Sequence, residues 1–270
     1  MKTINTYITE KLQLGGKLAR SKRYEYTPKN REELIDIIHE ITVKNIRKRK
    51  IDLNCIDTSK IDVMSFLFHQ NIYAHKYDIS EWDVSNVTTM QNMFYKSTFK
   101  GDISQWNVSS CENMVAMFAY SDFNGDISKW DVSHVTNMDS MFKYTEFNQD
   151  ISRWDVSNVT SMSEMFHNDD EFNQDISKWN VSHVTGMADM FRDAKNFNCD
   201  ISSWDISSCK NMSRMFCNSN FNQDISGWDI SSVNYMHDIF ASSAFKQDLT
   251  AWVDKVNNKK LIADFSKYIK

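Results

Sequence analysis

The chain has little proline and little glycine, with one Pro and six Gly among its 270 residues. Together with a hydrophobic content of 41%, this excludes a collagen-like chain and argues against a disordered one. No stretch approaches the ~20 consecutive apolar residues of a membrane-spanning helix. Residues 1–26 also lack the continuous apolar core and the small-residue cleavage pattern of a signal peptide. We therefore expect a cytoplasmic protein.

Sequence motifs of metal, nucleotide and hydrolase sites are missing as well. The five cysteines are odd in number and include no CxxC pair, which argues against a disulfide framework or a zinc site. There is no GxSxG, no HExxH and no glycine-rich phosphate loop. His134 and His183 occupy one repeat position two repeats apart, about 10 Å by strand spacing and too far to share a metal. We expect no enzymatic activity, no cofactor and no bound metal.

The charges are unevenly distributed along the chain. Residues 1–50 hold 13 Lys and Arg against six Asp and Glu, whereas residues 51–270 hold 18 against 30. The basic run Ile46–Lys50 fits either a contact with nucleic acid or an anionic surface, or the solvated end of a helix. We favour the helix end and expect no nucleic-acid partner, because the acidic remainder would repel phosphate.

Tryptophan recurs with a fixed period of 24 or 25 residues. Each repeat reads D-I-S-x-W-[DN]-[VI]-S-x-V-T-x-M-x-x-M-F, and a second Phe follows before the next Asp. A period of this length is typical of a solenoid. The extra residue of each 25-residue repeat falls near Asp170 or Lys195, which predicts a loop. The eight tryptophans are Trp82, Trp106, Trp130, Trp154, Trp179, Trp204, Trp228 and Trp252.

The repeats are flanked by two segments of different composition. A degenerate copy at residues 52–68 precedes the first Trp, as is common for terminal repeats. We predict a basic helical cap over residues 1–50, about nine repeats over residues 51–253 and a C-terminal cap over residues 254–270. In the N-terminal cap, Thr27 is the expected helix N-cap and Pro28 the first helical residue. The apolar face of that helix is Leu34, Ile37, Ile38 and Ile41.

Each repeat combines two apolar patterns. Trp154–Val156 alternates as in a short strand. Met162, Met165 and Phe166 share one face of a helical turn, and Thr160 stands where a residue would cap that turn. A single copy cannot bury enough apolar surface to fold alone, so the copies must stack. The pattern predicts a solenoid of short parallel strands and short helical turns.

The string "NVTSMSEMF…FNQDISKWNVSHVTGMADMF" closely resembles the BspA-like repeat family, a leucine-rich-repeat type of mycoplasma surface lipoproteins and of other bacteria and their phages. The resemblance covers about residues 52–252. It implies an α/β fold: a leucine-rich-repeat-like solenoid with a helical N-terminal cap. Family members are mostly surface or adhesion proteins, which implies a surface or virion location. The chain lacks the lipoprotein cysteine of those members.

Two polar columns could carry function. The Asp that opens each repeat could hold calcium between repeats, or could accept hydrogen bonds from its own turn. We favour the turn, because the glycines of calcium-binding repeats are mostly missing. An Asn column is expected to form an internal ladder. The columns are Asp78, Asp102, Asp126, Asp150, Asp175, Asp200, Asp224 and Asp248, and Asn124, Asn148, Asn173, Asn198 and Asn222.

The polar residue after each Trp should face solvent, and the residue before Trp varies between repeats. These positions form the predicted partner surface: Asp83, Asn107, Asp131, Arg153, Asp155, Lys178, Asn180, Asp205 and Asp229. The variable residues, including the loop His167–Glu171, carry the most positional information. We expect a non-enzymatic scaffold that binds a protein. The alternative is a structural or adhesive protein, such as a phage-related one, that binds a cell-surface glycan or protein.

Overall fold

The computed structural model describes residues 24–270; the predicted cap residues 1–23 lie outside this range. Its helices are α1 (Arg31–Asn45), α2 (Trp252–Lys255) and α3 (Ile262–Phe265). Two short strands, β1 (Ile51–Asp52) and β2 (Tyr77–Asp78), pair in parallel, with Ile51 opposite Tyr77. Short 3₁₀ helices span Ala74–Lys76, Lys259–Leu261 and Ser266–Tyr268.

The N-cap of helix α1 is Asn30, three residues later than the predicted N-cap Thr27. The Asn30 side chain accepts a hydrogen bond from the Glu33 N–H (2.9 Å), and Glu33 in turn accepts one from the Lys29 N–H (2.9 Å). This reciprocal arrangement resembles a capping box and outcompetes the Thr27–Pro28 signal. The helix ends at Asn45, so the basic run 46–50 directly follows its C-terminus.

Helix α1 lies against the first repeats through one apolar face. Leu34, Ile38 and Ile41 are buried, and Ile37 packs against the same core while half-buried. The Arg31 Nε donates to the Ser65 carbonyl (2.7 Å). The predicted apolar face of this helix is therefore the face that contacts the repeats.

The repeats lie side by side in sequence order. One residue of each repeat forms a parallel bridge with its equivalent in the next repeat, from Val63 with Thr89 through to Asn211 with Tyr235. In the middle of the chain, Asn137 bridges Ser161 and Ser161 bridges Gly186. Because each bridge joins residues 24 to 26 apart, each turn of chain is hydrogen-bonded to its neighbours on both sides.

The parallel bridges do not fall where the alternation at Trp154–Val156 placed a strand. No strand is assigned to these residues, and the bridging residue of this repeat is Ser161. The chain turns instead, because Asp155 Oδ1 accepts from the Ser157 N–H (3.1 Å) and the Val159 N–H bonds the Val156 carbonyl (2.9 Å). The alternation of apolar residues here reflects the burial of Trp154 and Val156, and these residues do not pair with a neighbouring strand.

The Met-x-x-Met-Phe segment forms successive β-turns where a helical turn was expected. The Met165 N–H bonds the Met162 carbonyl (3.2 Å), and Glu164 between them has φ 60°, as a type II turn requires at that position. Every second amide of this segment donates to a carbonyl of the next repeat. The Met162 N–H bonds the Gly186 carbonyl (2.9 Å), and the Glu164 N–H bonds the Ala188 carbonyl (2.8 Å). A helix would keep these amides within the repeat.

Thr160 has a different role from the predicted cap. Its hydroxyl donates to the carbonyl of Thr136, its equivalent in the preceding repeat (3.0 Å), and its N–H bonds the same carbonyl (2.8 Å). Thr185 repeats this contact with Thr160. These threonines therefore connect repeats rather than terminate a local helix.

The core is a set of aromatic and methionine columns that run along the repeats. Phe142, Phe166 and Phe191 stack in sequence with centroid distances of 5.7 and 5.8 Å. The second Phe of each repeat stacks on the first, as Phe172 does on Phe166 at 3.7 Å. All eight Trp residues are buried. The conserved spacing of the repeat thus fixes which rings meet between neighbours.

The C-terminal segment covers the last repeat. Phe265 is buried edge-on against Trp252 at 5.5 Å, and Tyr268 lies edge-on against Phe240 and Phe245, each at 5.2 Å. The Leu249 N–H bonds the Tyr268 carbonyl (2.8 Å). These contacts shield rings that would otherwise face solvent at the end of the stack.

Candidate functional site

The Asp that opens each repeat is used within its own turn. Asp150 Oδ1 accepts from the Ser152 N–H (2.9 Å), and hydrogen bonds from Ser152 hold the pKa of this carboxyl below its usual range. The same bond recurs at Asp126, Asp175, Asp200, Asp224 and Asp248. Among residues 24–270, no group of three or more His, Cys, Asp or Glu side chains is arranged to hold a metal ion.

The two histidines of one column are also engaged separately. His134 is exposed, and its Nδ1 lies 3.4 Å from the Ser133 hydroxyl. His183 is exposed as well, and its Nδ1 lies 2.8 Å from the Ser157 carbonyl of the preceding repeat. The structure brings neither imidazole to a shared site.

All nine residues of the predicted partner surface are exposed: Asp83, Asn107, Asp131, Arg153, Asp155, Lys178, Asn180, Asp205 and Asp229. Those that follow Trp also bond within their own turn. Asp131 Oδ1 accepts from both the N–H (3.1 Å) and the hydroxyl (2.6 Å) of Ser133, and Asp205 Oδ1 accepts from the Ser207 N–H (3.0 Å). The Asp or Asn at this position is uniform because its side chain accepts the hydrogen bonds that close the turn. The contact of these residues with a partner stays a prediction.

The Asn column forms a ladder between repeats as expected, but the ladder runs along the surface and not in the interior. Asn124 Oδ1 accepts from the Asn148 N–H (3.1 Å), and Asn148 Oδ1 accepts from the Asn173 N–H (3.1 Å). The ladder continues through Asn198 and Asn222, each with its backbone N–H on the preceding Asn. These side chains are exposed or half-buried, so they satisfy loop amides at the rim of the stack.

A second set of positions that vary between repeats lies on another surface, which we call the turn face. It consists, in each repeat, of the two residues between the methionines and the two residues after the first Phe. In one repeat these are residues 163–164 and 167–168. The position after Phe is occupied in successive repeats by Lys143, His167, Arg192 and Cys217. The turn face therefore displays different chemistry at equivalent places.

Half of the turn-face positions have left-handed backbone. The residue before the second Met and the second residue after Phe have φ between 51° and 61° in every repeat. This conformation normally favours Gly or Asn. The residues are Phe66, Asn92, Ala116, Ser140, Glu164, Asp189, Arg214 and Asp238, and Gln70, Lys96, Tyr120, Tyr144, Asn168, Asp193, Asn218 and Ser242. Except at Asp238 and Ser242 in the last repeat, the amide of each of these residues donates to a carbonyl of the next repeat and holds the position in place.

Charged side chains form a network across the C-terminal half of the turn face. Lys143 pairs with Glu164 of the next repeat, and the His167 ring lies 3.9 Å from Glu164 and 3.6 Å from Asp193. The nearby His167 imidazole, together with the Lys143 ammonium, lowers the pKa of the Glu164 carboxyl to about 2. Glu164 is therefore ionised at neutral pH, and together with His167 it connects Lys143 of the preceding repeat to Asp193 of the next.

A second centre of this network is Asp189. Arg214 of the next repeat binds it through two parallel contacts of 2.8 Å, and Arg192 lies 3.3 Å from it. Burial alone would raise the pKa of the Asp189 carboxyl, but the two guanidinium groups outweigh burial and hold that pKa below its usual range. Paired geometry of this kind fixes the direction of the Arg side chains.

Aromatic rings follow the N-terminal half of the turn face. His69 stacks on Tyr95 (5.1 Å), Tyr95 meets Tyr120 edge-on (5.5 Å), and Tyr120 stacks on Tyr144 (4.7 Å). The Lys96 ammonium lies 5.4 Å from the Tyr95 centroid and 5.3 Å from that of Tyr120. The turn face thus changes from aromatic to charged along the repeats.

A family model described as "Mycoplasma protein of unknown function, DUF285" matches residues 39–147 and 143–252. The chain belongs to this family. The two matches meet within the repeats, so the DUF285 pattern covers both the aromatic and the charged halves of the turn face. No curated protein and no solved structure matches the chain.

No helix within residues 24–270 has the length and the apolar character needed to cross a membrane. The sequence signal for the turn face of this DUF285 chain was the variation at His167 and its neighbours. Its charged pairs were missed, because Glu164 and Lys143 are 21 residues apart. The contacts become visible only when each repeat is placed beside the next.

Proposed function

We propose that this DUF285 chain is a non-enzymatic binding scaffold: a BspA-like, leucine-rich-repeat-like solenoid whose turn face contacts a protein partner. The observation that carries the proposal is the contrast between two kinds of position. Core columns repeat the same residues, whereas the turn face presents Lys143, His167, Arg192 and Cys217 at one equivalent place. His167 is buried and the other three are half-buried, but the second position after Phe is exposed at Tyr120, Tyr144 and Asn218. Uniform columns specify stacking, and residues that vary between repeats and reach the surface can specify a partner.

The stacking supports a solenoid. Parallel bridges join every neighbouring pair from the copy at Val63 to the last at Tyr235. Each Trp indole also bonds a carbonyl of the preceding repeat, as Trp179 bonds Ile151 (3.1 Å). Contacts of this nearest-neighbour kind are those by which repeat proteins gain stability and present an extended binding surface.

The chemistry of the turn face suits a protein. Tyr and Arg are the residues most enriched at the energetic centres of protein interfaces, and the face carries Tyr120, Tyr144, Arg192 and Arg214. Its charges are of both signs and mostly paired, as at Asp189. The phosphates of a nucleic acid would be repelled by the carboxylates on the same surface, so a nucleic acid is a poor candidate for the partner.

We also propose that the protein works in a reducing compartment such as the cytoplasm. Cys111 and Cys209 are buried thiols, and Cys199 and Cys217 are half-buried thiols. Four unlinked thiols in a chain of this length suit a compartment that keeps cysteines reduced.

Site-directed photo-crosslinking tests the proposed surface. A photoreactive residue at Asn218 lies on the turn face, and one at Asp205 lies on the uniform column; both positions are exposed. In cells that carry the gene, we expect Asn218 to crosslink one protein in stoichiometric yield and Asp205 to crosslink none. Adding Arg214→Ala should abolish the crosslink. Crosslinking from Asp205 that Arg214→Ala leaves unchanged would assign the partner to the predicted Asp and Asn column instead.

A further inference from the structure

A glutamine column closes the surface between repeats. The residue before the opening Asp is Gln at 149, 174, 223 and 247. Gln174 Nε2 bonds both the carbonyl (3.0 Å) and Oδ1 (2.7 Å) of Asn148, and Gln247 Nε2 bonds the Asn222 carbonyl (2.9 Å). Each Gln therefore reaches across to the Asn of the preceding repeat and fills the space between the two loops.

Three repeats replace this Gln with a small residue, and a cleft lies at each one. Gly101 lines a cleft of about 400 Å³, Gly125 one of about 480 Å³ and Cys199 one of about 500 Å³. The side chain that bridges to the preceding repeat in the Gln repeats is missing at all three places. The exceptions in the column thus coincide with openings in the surface.

Glycine at 125 also changes the layer beneath the cleft. A Cβ at this position would lie 2.9 Å from the Phe123 ring, which is closer than real contacts allow. Because Gly125 has no β-carbon, it fits beside this ring and leaves room for the cleft that it lines.

Two tyrosines form one wall of the Gly125 cleft. Tyr120 and Tyr144 are 39% and 41% exposed and stack with their planes 7° apart. Each ring covers one face of the other, and part of each side chain remains exposed. Within residues 24–270, neither hydroxyl has a hydrogen-bond partner, so both are available to a ligand.

Hydrogen-bond donors and acceptors line the rest of the cleft. Lys100 pairs with Asp122 at 3.5 Å, and Glu146 also lines the cleft. Asn124 uses its Oδ1 for the ladder, which leaves its NH₂ group as a donor. The cleft combines hydroxyl and amide donors with carboxylate acceptors, and carries one cation against two anions.

We propose that the Gly125 cleft is a binding site for a neutral saccharide of one or two sugar units. Sugar hydroxyls donate and accept at once, so they match the mixed set around Asn124 and Asp122. The tyrosines supply amphipathic contact at low entropic cost. A sulfate, phosphate or carboxylate ligand would meet the excess of carboxylates at Asp122 and Glu146 and bind less well. The size is that of ordinary small-ligand sites.

Substitution by the residue that the other repeats carry tests the site. The full chain is titrated with glucose, galactose, mannose and N-acetylglucosamine, and binding is followed by saturation-transfer NMR. We expect at least one sugar to bind wild type, and Gly125→Gln to weaken it about tenfold or more. Gly101→Gln is the matched control: it adds the same side chain one repeat earlier, beside the same kind of Phe contact, and should leave binding unchanged.

A second variant keeps the test independent of folding at position 125. Tyr120→Phe combined with Tyr144→Phe keeps both exposed rings, removes both hydroxyls and should weaken binding about tenfold. Binding that survives both variants would overturn the proposal. So would a wild-type chain that binds none of the four sugars, or one that binds only their sulfated or sialylated forms.

Discussion

The indole nitrogen of Trp154 donates a hydrogen bond to the main-chain carbonyl of Ile127, 27 residues earlier, over 3.1 Å. The same carbonyl accepts the Trp130 N–H (3.1 Å) within its own repeat. One oxygen therefore closes a local turn and joins two repeats. Every Trp from 82 to 252 makes the equivalent bond.

Trp154 substitutions should separate packing from this hydrogen bond. Trp154 is 4% exposed, so Trp154→Ala should lower the free energy of unfolding by about 3–5 kcal/mol through the cavity it leaves. Trp154→Phe keeps most of the ring, and its lost hydrogen bond should cost about 0.5–1.5 kcal/mol because Ile127 retains one donor. Urea denaturation measures both, with the exposed Lys178→Ala as control. Equal losses for Ala and Phe would contradict the packing role.

Substitution by glycine should have opposite effects on the melting temperature at two alanines of neighbouring turns, Ala116 and Ala119. Ala116 and Ala119 are both buried, but Ala116 has φ 51° and Ala119 has ordinary backbone. Left-handed backbone costs an L-residue about 1–2 kcal/mol, more than the about 0.5–1 kcal/mol of flexibility that Gly adds. Ala116→Gly should therefore raise the melting temperature, and Ala119→Gly should lower it. Differential scanning calorimetry measures both melting temperatures. A lower melting temperature for both variants would show that Ala116 adopts its left-handed backbone without strain.

The sequence anticipated the burial pattern better than the backbone. Period and apolar spacing placed Trp154, Met162 and Phe166 in the core because burial leaves a direct mark on residue type. The turns left no such mark: an i, i+3, i+4 spacing fits one helical turn and two β-turns equally well. Left-handed positions held by Glu164 and Arg214 instead of Gly gave no turn signal.

The cleft could have been found from the sequence by comparing repeats column by column. At the position before the opening Asp, four repeats carry Gln, at 149, 174, 223 and 247. Gly101, Gly125 and Cys199 occupy the same position in three other repeats. The bonds from Gln174 to Asn148 that give the exception its meaning required the structure. The charged network on the turn face was hidden for the same reason, since its partners belong to different repeats.

Buried cysteines should be unreactive in the folded protein. Burial raises the pKa of Cys111 and of Cys209 to about 12, so almost no thiolate forms at pH 8. Iodoacetamide at pH 8 should alkylate neither residue until urea unfolds the chain, whereas half-buried Cys199 should react at a measurable rate. Peptide mass spectrometry reads all three thiols in one experiment. Rapid native labelling of Cys209 would show that its repeat opens locally.

Asp169 should make stability fall as pH rises. It stands where most other repeats carry Ser or Thr, is fully buried, and accepts a hydrogen bond from the Thr145 hydroxyl (2.9 Å). Burial is the main cause that raises the pKa of this carboxyl to about 8. In the unfolded chain the group titrates near its ordinary value of 3.8, so between pH 4 and 8 the folded protein holds a proton that the unfolded chain has lost.

The sign of the effect follows from linkage: stability is fully present below pH 4 and declines as pH rises towards 8. Asp169→Asn keeps the shape, cannot ionise, and should remove this decline, so that the variant exceeds wild type most at pH 8. The neighbouring exposed Asp170→Asn supplies the control and should leave the pH profile of wild type intact. Urea midpoints measured from pH 4 to pH 8 compare the three proteins. Parallel profiles for wild type and Asp169→Asn would mean that the buried carboxyl is ionised in the folded state.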